Sequence, residues 1–400
     1  MLKDIINHTK WSASMSALLN QFIEHGGQTI AELSKNLGVS VPYTTKTLNE
    51  LIEIGLVQTT GKRDNYSKRA PKIYDLIATS GYFLGIDTGK DNLTFGICDF
   101  CGNMIADPVK IDFDYKDNLE CFETFIKSIN SFVEKSGIAK NQIKNACLSI
   151  GGRVNPEMGC AYNFFTCLGK PLAEAISEKL ELPFCIDNDT RCMTYGESLK
   201  GVCKGFKNVI FVNVSWGIGI GIIIDGKLYQ GKSGFSGEIG HMHIYNNDII
   251  CHCGKTGCME TETSGSALLR KMNQKLQEGG TSVLTDKVMI QHQELTLQDI
   301  LDAIQKEDVL SIESLQRMAV ELGTNLAGII NTFNPEMLVI GGDLSVTGEY
   351  LTQPICMGIK KFSLNMVSEE KQIATSILKD QAALIGACLM ARSKILLGNY

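Results

Sequence analysis

The chain has 400 residues, of which 44% are hydrophobic and 20% charged, and these proportions exclude a disordered polypeptide. No apolar run approaches the roughly 20 residues that span a bilayer, and the opening sequence MLKDIINHTK lacks the apolar core of a signal peptide. We therefore expect a cytoplasmic protein whose 14 cysteines are buried or metal-bound rather than paired in disulfides. The length allows two or three domains.

The N-terminal segment has the pattern of short helices. Apolar residues at helical spacing over 15–23 predict a first helix that ends at Gly26. Thr29 and Glu32 have the spacing of a capping box, in which each side chain binds the backbone amide of the other residue. This box predicts the start of a second helix, which ends at Gly38.

A third helix and a hairpin follow. The helix is predicted to bury Leu48, Leu51 and Ile52, and strands at 55–58 and 72–76 enclose a basic loop. Such a winged helix-turn-helix places its second helix in a DNA major groove and its loop near phosphates. The exposed residues that we expect to contact DNA are Tyr43, Thr44, Lys46, Thr47, Lys62, Arg63, Lys68 and Arg69.

Charge supports this interpretation. Residues 1–80 hold 9 Lys/Arg and 7 Asp/Glu, a net of +2, whereas the remainder of the chain has a net charge of −8. A basic segment on an acidic chain is typical of a domain that binds an anionic partner. The alternative, a small helical domain for protein contact, stays open.

After a short linker at 77–81, the pattern changes to alternating strands and helices. A hairpin is predicted from strands at 82–87 and 92–99, with Asp87 and Gly89 at its turn, and an ordinary hairpin would show the same residues. A later strand ends at Asn188-Asp189, where polar side chains are often no more than caps of the next helix.

A second set of strands begins near residue 208 and leads into a glycine-rich segment. Gly217, Gly219 and Gly221 alternate there with other residues. Such glycines leave backbone amides bare, as a phosphate cradle requires.

The most distinctive stretch is the spacing H-x9-C-x-C-x4-C, formed by His241, Cys251, Cys253 and Cys258. Three thiolates and one imidazole are a ligand set that Zn²⁺ prefers in tetrahedral coordination. Because all four positions are filled by protein, the pattern predicts a closed structural site rather than a catalytic one. A chance grouping of thiols is the alternative.

The same stretch resembles the signature of the ROK family (repressors, open reading frames and sugar kinases). That family carries E-x-G-H followed by C-x-C-G-x-x-G-C-x-E, and this chain has EIGH at 238–241 and CHCGKTGCME at 251–260. The resemblance implies a two-lobed actin-like fold and structural zinc on His241, Cys251, Cys253 and Cys258. By the same resemblance, the residues expected to bind a sugar are Asn163, Asn188, Asp189, Glu238, His241 and Glu260. Asp189 corresponds to the catalytic base of the family's kinases, and it would have that role here if this chain is active as a kinase.

The resemblance also implies ATP and Mg²⁺ at Asp87, Gly89, Gly217 and Gly219, but this chain departs from the family there. Ser215 and Trp216 replace the first glycine and the threonine of the family's G-T-G-x-G-x-G loop. We therefore expect ATP binding to be impaired. Two further departures lie in the motifs of the implied sugar site, where Arg153 replaces a proline and Arg191 replaces an asparagine.

We predict a winged helix-turn-helix at 1–77, a first actin-like α/β lobe of ribonuclease H type at 82–206 plus 382–400, and a second lobe at 207–381 with the zinc loop. A sugar cleft is expected between the lobes. The predicted function is a sugar-responsive transcriptional regulator of carbohydrate-use genes that acts as a repressor.

The predicted partners are operator DNA and a monosaccharide effector, either a hexose or an N-acetylated amino sugar. A homodimer or a dimer of dimers is expected, because one recognition helix reads too few base pairs. Two other hypotheses stay open: an ATP-dependent sugar kinase that retains activity, and a protein-interaction module that does not bind DNA.

Overall fold

The computed structural model of the chain describes residues 12–62, 70–366 and 372–398. The chain divides into two compact units, one formed by Met1–Leu199 with Ala383–Tyr400 and the other by Lys200–Ala382. Among the described residues, no helix is both long and apolar enough to cross a membrane.

Within the described residues 12–62 and 70–77, the N-terminal domain of the first unit has three helices and a two-stranded antiparallel sheet. Its elements are α1 (Ala13–His25), α2 (Ile30–Leu37), α3 (Val41–Ile54), β1 (Val57–Lys62) and β2 (Lys72–Leu76). Three helices followed by a hairpin are the arrangement of a winged helix-turn-helix, as predicted. Strand β1 covers Val57–Lys62, so it starts and ends later than the predicted strand at 55–58. The predicted DNA contacts Arg63, Lys68 and Arg69 lie outside the described residues.

Local sequence explains where these helices begin and end. The Thr29 hydroxyl accepts a hydrogen bond from the Glu32 amide at 3.3 Å, and the Glu32 carboxylate accepts one from the Thr29 amide at 3.0 Å. The predicted capping box is therefore confirmed. Helix α2 ends at Gly38, whose φ of 65° lies in the left-handed region that favours glycine.

The buried face of α3 differs from the prediction. Thr44 and Thr47 are only 1% and 3% exposed, so the expectation that both are exposed is wrong. The Thr44 hydroxyl lies 2.9 Å from the Ser34 hydroxyl of α2, which draws this edge of the helix inward. Ile52, predicted to be buried, is exposed, because the buried stripe runs through positions 44, 47, 48 and 51. Tyr43 and Lys46 are exposed.

The rest of the first unit is an α/β layer structure. A five-stranded sheet has the order β5-β4-β3-β6-β9, with β3 antiparallel to β4 and parallel to β6. Its elements are β3 (Tyr82–Thr88), β4 (Asn92–Asp99), β5 (Val109–Asp112), α4 (Leu119–Lys135), β6 (Ile143–Ile150), β7 (Val154–Asn155), β8 (Cys160–Ala161), α5 (Leu172–Leu180), β9 (Phe184–Asn188) and α6 (Asp189–Lys200).

The second unit repeats this strand order. Its five-stranded sheet runs β12-β11-β10-β13-β14, with β10 antiparallel to β11 and parallel to β13. Its elements are β10 (Val209–Val214), β11 (Ile218–Ile224), β12 (Lys227–Leu228), α7 (Glu260–Thr263), α8 (Gly265–Gln277), α9 (Leu297–Gln305), α10 (Val309–Phe333), β13 (Met337–Gly341), α11 (Glu349–Phe362) and β14 (Gln372–Thr375). The final helix, α12 (Ala382–Leu396), lies almost wholly in the first unit.

The shared topology confirms the predicted fold class. In both sheets the first strand lies in the middle, with its hairpin partner on one side and two later parallel strands on the other. Apolar residues line these strands, so both sheets bury their faces under helices. In the first unit, α12 is anchored by the Asn145 side-chain amide, which donates to the Ala391 carbonyl at 2.8 Å.

Helices α10 and α11 of the second unit approach each other through glycines. A Cβ at Gly323 would lie 2.2 Å from the Ile355 carbonyl oxygen, and one at Gly358 would lie 2.5 Å from the Val320 carbonyl oxygen. Only glycine fits at either position, because the two backbones are in direct contact.

This contact yields a prediction with a control in the same helix. Gly323→Ala should lower the free energy of unfolding by about 1–3 kcal/mol, because its methyl group has no room. Gly328→Ala places its methyl in open space, and it should raise that free energy by roughly 0.5–1 kcal/mol through helix propensity. Urea denaturation followed by circular dichroism measures both, and equal effects of the two changes would contradict the close packing.

Candidate functional site

Four predicted metal ligands of the second unit converge on one point. One atom from each of His241, Cys251, Cys253 and Cys258 lies within 4.8 Å of every other. The Cys253 and Cys258 sulfurs are 3.7 Å apart, and the Cys251 sulfur lies 3.6 Å from His241 Nδ1. A tetrahedron with Zn–S bonds of about 2.3 Å and a Zn–N bond of about 2.0–2.1 Å has edges of about 3.8 Å and 3.6 Å. The spacing therefore fits a four-coordinate cation.

The backbone turns that bring the sulfurs together depend on two glycines. Gly254 and Gly257 have φ of 84° and 73°, and a Cβ at Gly257 would lie 2.2 Å from the Tyr245 carbonyl oxygen. Across the first of these turns, the Cys251 amide donates to the Lys255 carbonyl at 2.8 Å. The chain can thus reverse direction inside eight residues, as the spacing of the cysteines requires.

Burial affects the charge of the cluster. Burial raises the pKa of the Cys251 thiol to about 12, so this group keeps its proton at neutral pH unless a positive charge is bound beside it. A metal ion displaces such protons and binds the thiolates. The residues present therefore fit a thiophilic metal by donor type, by number and by distance.

Acidic side chains surround the cluster. Glu260 is buried; its Oε1 lies 2.7 Å from His252 Nδ1, and its Oε2 accepts the Ile218 amide at 3.3 Å. Glu238 Oε2 lies 3.8 Å from Nε2 of His241, the ring nitrogen that does not face Cys251. The structure thus brings the predicted sugar residues of the second unit together on the cysteine loop.

Sequence reasoning did not single out His252. Its position between two cysteines gives no spacing signal, because it is a variable position in the motif. In the structure His252 forms a second possible metal-binding group with His241 and Glu260.

The predicted sugar residues of the first unit gather around the turn at Gly151 and Gly152. The Asn163 side-chain amide donates to the Gly151 carbonyl at 2.9 Å, and the Asn188 amide donates to the Gly152 carbonyl at 3.0 Å. Gly152 has a φ of 92°, and a Cβ there would lie 2.5 Å from Asn163 Nδ2. The side-chain amide of Asn188 also donates to Asp189 Oδ1 at 2.9 Å.

Helix α6 begins at Asp189, and its cap is the preceding residue. The side-chain oxygen of Asn188 accepts the Arg191 amide at 3.2 Å, as an N-cap residue does. Asp189 Oδ1 accepts a hydrogen bond from the adjacent Thr190 amide at 2.7 Å. Asn188 is thus the N-cap residue of this helix.

Arg191, one of the departures from the family, forms a buried ion pair beneath this turn. Its Nε donates to Asp187 Oδ1 at 2.5 Å, its Nη2 also contacts that oxygen, and both side chains are buried. The same Nη2 donates to the Val154 carbonyl at 3.3 Å. The sequence showed the replacement but gave no sign that the new guanidinium pairs with the carboxylate four residues earlier.

The predicted phosphate residues lie in hairpin turns of the two units. In the first unit, Asp87 Oδ1 accepts the Ser149 hydroxyl at 2.7 Å, and the Gly89 amide donates to the Asn92 carbonyl. In the second unit, a Cβ at Gly217 would lie 2.5 Å from Glu260 Oε2. Gly219, in β11, pairs with Asn213 of β10.

Ser215 and Trp216 change the glycine-rich turn of the second unit. The Ser215 hydroxyl donates to Asn213 Oδ1 at 2.7 Å and accepts the Asp343 amide at 2.9 Å, an amide that is thereby occupied. The Trp216 side chain is 47% exposed. The Ser215 hydroxyl thus removes one bare amide, that of Asp343, from the neighbourhood of this turn.

Comparisons with known proteins agree with this geometry. A model of the ROK family matches residues 83–394, and a model of winged helix-turn-helix DNA-binding domains matches residues 16–58. The chain is 28% identical to the xylose repressor of Bacillus subtilis over 81% of this chain and 80% of that protein. It is also 28% identical to a glucokinase of Halalkalibacterium halodurans over 76% of this chain and 93% of that protein.

A solved structure is similar over nearly the whole length. The crystal structure of a ROK family transcriptional regulator, described as a homolog of the Escherichia coli Mlc protein, matches with a TM-score of 0.81 and 26% identity. The match covers 96% of this chain and 97% of the other. With its winged helix-turn-helix, its two sheets of one topology and its cysteine loop, the chain belongs to the ROK family.

Proposed function

We propose that the chain is a sugar-responsive transcriptional regulator of carbohydrate-use genes, acting as a repressor. The observation that carries this proposal is the presence, in one chain, of a winged helix-turn-helix and a complete ROK domain. The likeness to a xylose repressor and to a ROK transcriptional regulator supports it. A kinase needs no DNA-binding domain, whereas a regulator needs both parts.

The effector in this proposal is a monosaccharide, either a hexose or an N-acetylated amino sugar. Carboxylates and side-chain amides fixed by backbone bonds can accept and donate hydrogen bonds to sugar hydroxyls in set directions. The residues proposed to bind it are Asn163, Asn188 and Asp189 of the first unit and Glu238, His241 and Glu260 of the second. Xylose belongs in any test panel, because a relative bears its name.

The metal in this proposal is a structural zinc ion held by His241, Cys251, Cys253 and Cys258. Bound there, zinc would neutralise the thiolates and cross-link the loop. The loop carries Glu260 and follows Glu238, so its rigidity determines how well both carboxylates are placed.

The proposed DNA contacts include three exposed residues, Tyr43 and Lys46 of α3 and Lys62 of β1. From the sequence alone we add Arg63, Lys68 and Arg69, which lie outside the described residues. Two copies of the domain would read two half-sites, which requires a homodimer or a dimer of dimers. We place the limits of this domain at 1–77, followed by lobes at 82–206 plus 382–400 and at 207–381.

The second candidate function is an ATP-dependent sugar kinase. Asp87 and Gly89 remain for Mg²⁺ and phosphate, Asp189 remains as a base, and a glucokinase is among the relatives. Gly217 and Gly219 would complete the phosphate site, but the occupied Asp343 amide weighs against it. Regulation is the better supported function.

The first prediction concerns the metal. Purified protein should contain about one zinc ion per chain by elemental analysis, and Cys253→Ser should lose it, because a neutral hydroxyl is a poor zinc ligand. Cys167→Ser, at an exposed cysteine outside the cluster, should keep it. Wild-type protein that contains no thiophilic metal after purification without chelators would refute the metal site.

The second prediction tests the function itself. An operator selected from randomised DNA should bind the protein, and one monosaccharide of a panel should change that affinity by about 5-fold or more. Asp189→Asn should abolish the response to sugar while leaving DNA binding without sugar intact. Asp114→Asn is the control, since the Asp114 side chain is exposed and its ion pair with Lys116 lies at the surface.

Two results would count against regulation. If no sugar changes the DNA affinity, the chain does not sense a sugar. Robust transfer of phosphate from ATP to a sugar, by a protein that binds no DNA, would favour the kinase.

The third prediction concerns the recognition helix. Lys46→Ala should weaken operator binding by about 5-fold or more, whether the ammonium contacts a base or a phosphate. Lys110→Ala should leave binding unchanged, because this exposed lysine lies in β5, outside the N-terminal domain. Fluorescence anisotropy measures both affinities. Wild-type affinity in Lys46→Ala would show that α3 does not read DNA.

A further inference from the structure

We infer that His252 is a positioning residue for sugar binding. Its ring holds the carboxylate of Glu260 in the orientation in which that carboxylate would bind a sugar. The inference rests on the proposed function, because it assigns Glu260 to a sugar contact. His252 lies on the cysteine loop between Cys251 and Cys253, yet it is not one of the four residues of the tetrahedral cluster.

The contact between the two side chains is short and directional. His252 Nδ1 lies 2.7 Å from Glu260 Oε1. An ionised carboxylate can only accept a hydrogen bond, so Nδ1 carries the proton in both the neutral and the charged imidazole. The carboxylate is almost fully buried, whereas the His252 side chain is 68% exposed. His252 thus reaches Glu260 from the solvent side.

The second carboxylate oxygen is fixed from the opposite side. Glu260 Oε2 accepts the Ile218 amide at 3.3 Å. A Cβ at Gly217 would lie 2.5 Å from this oxygen and one at Gly240 would lie 3.4 Å from it, so bare backbone closes that side. A carboxylate has about four acceptor positions. The Ile218 amide uses one position on Oε2, and His252 and the Cys251 thiol use two on Oε1. About one position therefore remains for a sugar hydroxyl, in a direction that these donors determine.

A second and longer contact reaches the same oxygen. The Cys251 thiol donates to Glu260 Oε1 at 3.6 Å. The contact from His252 Nδ1, at 2.7 Å, is much the shorter of the two, so the position of Oε1 depends mainly on His252.

His252 also lies against a second proposed sugar residue. Its ring meets the His241 ring edge-on, with centroids 5.0 Å apart and planes inclined at 71°. The ring of His252 therefore contacts two of the residues that are proposed to bind sugar, His241 and Glu260.

The experiment compares two substitutions at position 252. His252→Ala should weaken binding of the effector monosaccharide by about 10-fold or more, as expected for loss of a hydrogen bond to a charged group. His252→Asn should recover most of the affinity, because its side-chain amide can donate from the position of Nδ1. Calorimetry gives the affinities, and elemental analysis should find the same zinc content in both variants.

The loop itself offers a control. Lys255→Ala removes an exposed side chain of the same turn and should leave sugar affinity and zinc content unchanged. The inference is overturned if His252→Ala binds sugar like the wild type, if it loses zinc in proportion to affinity, or if asparagine restores nothing.

A measurement without sugar separates this inference from the proposed function. Nuclear magnetic resonance should show a downfield Nδ1 proton of His252, absent from His252→Asn and shifted in Glu260→Gln. If that proton is present and no sugar binds, the contact holds and the assigned function fails. If sugar binds and that proton is missing, the function stands and the positioning role is refuted.

Discussion

The convergence of three sulfurs and one imidazole on a single loop is the constraint on which the second unit's chemistry depends. Without a cation, burial would keep the Cys251 thiol protonated, and the four groups would not be cross-linked. A bound cation would make the loop a rigid support for Glu260 and for the segment that begins at Glu238. Tight turns at Gly254 and Gly257 make the convergence possible. The ligand cluster, the backbone turns and the carboxylates therefore form one arrangement, in which each part limits the freedom of the others.

The first unit reaches a similar result without a metal. The turn at Gly151 and Gly152 offers two carbonyls, which orient Asn163 and Asn188. Below it, Arg191 and Asp187 pair in the core. A buried pair of this kind is costly to split, because removing one partner strands the other charge. In one unit a donor set for a cation orders the polar residues, and in the other backbone carbonyls and an ion pair do so.

The sequence was informative wherever chemistry depends on spacing along the chain. The capping box at Thr29 and Glu32 and the cysteine spacing are local patterns, and both led to the observed geometry. It was misleading where a neighbouring element decides the outcome. Helical periodicity predicts that α3 has a buried face, but contact with Ser34 determines which face it is, so Thr44 was misassigned. The contact of His252 with Glu260 depends on folding of the loop and left no pattern in the sequence.

The division of the first unit between the two ends of the chain affects how the protein is made. Helix α12 is anchored to Asn145, which precedes its partner Ala391 by 246 residues. A ribosome therefore completes all of Lys200–Ala382, a continuous segment, before the last helix of the earlier unit emerges. During that interval the N-terminal domain is already synthesised, while the sheet behind it lacks one of its covering helices. Chaperones and proteases thus meet a nascent chain whose middle can mature before its beginning.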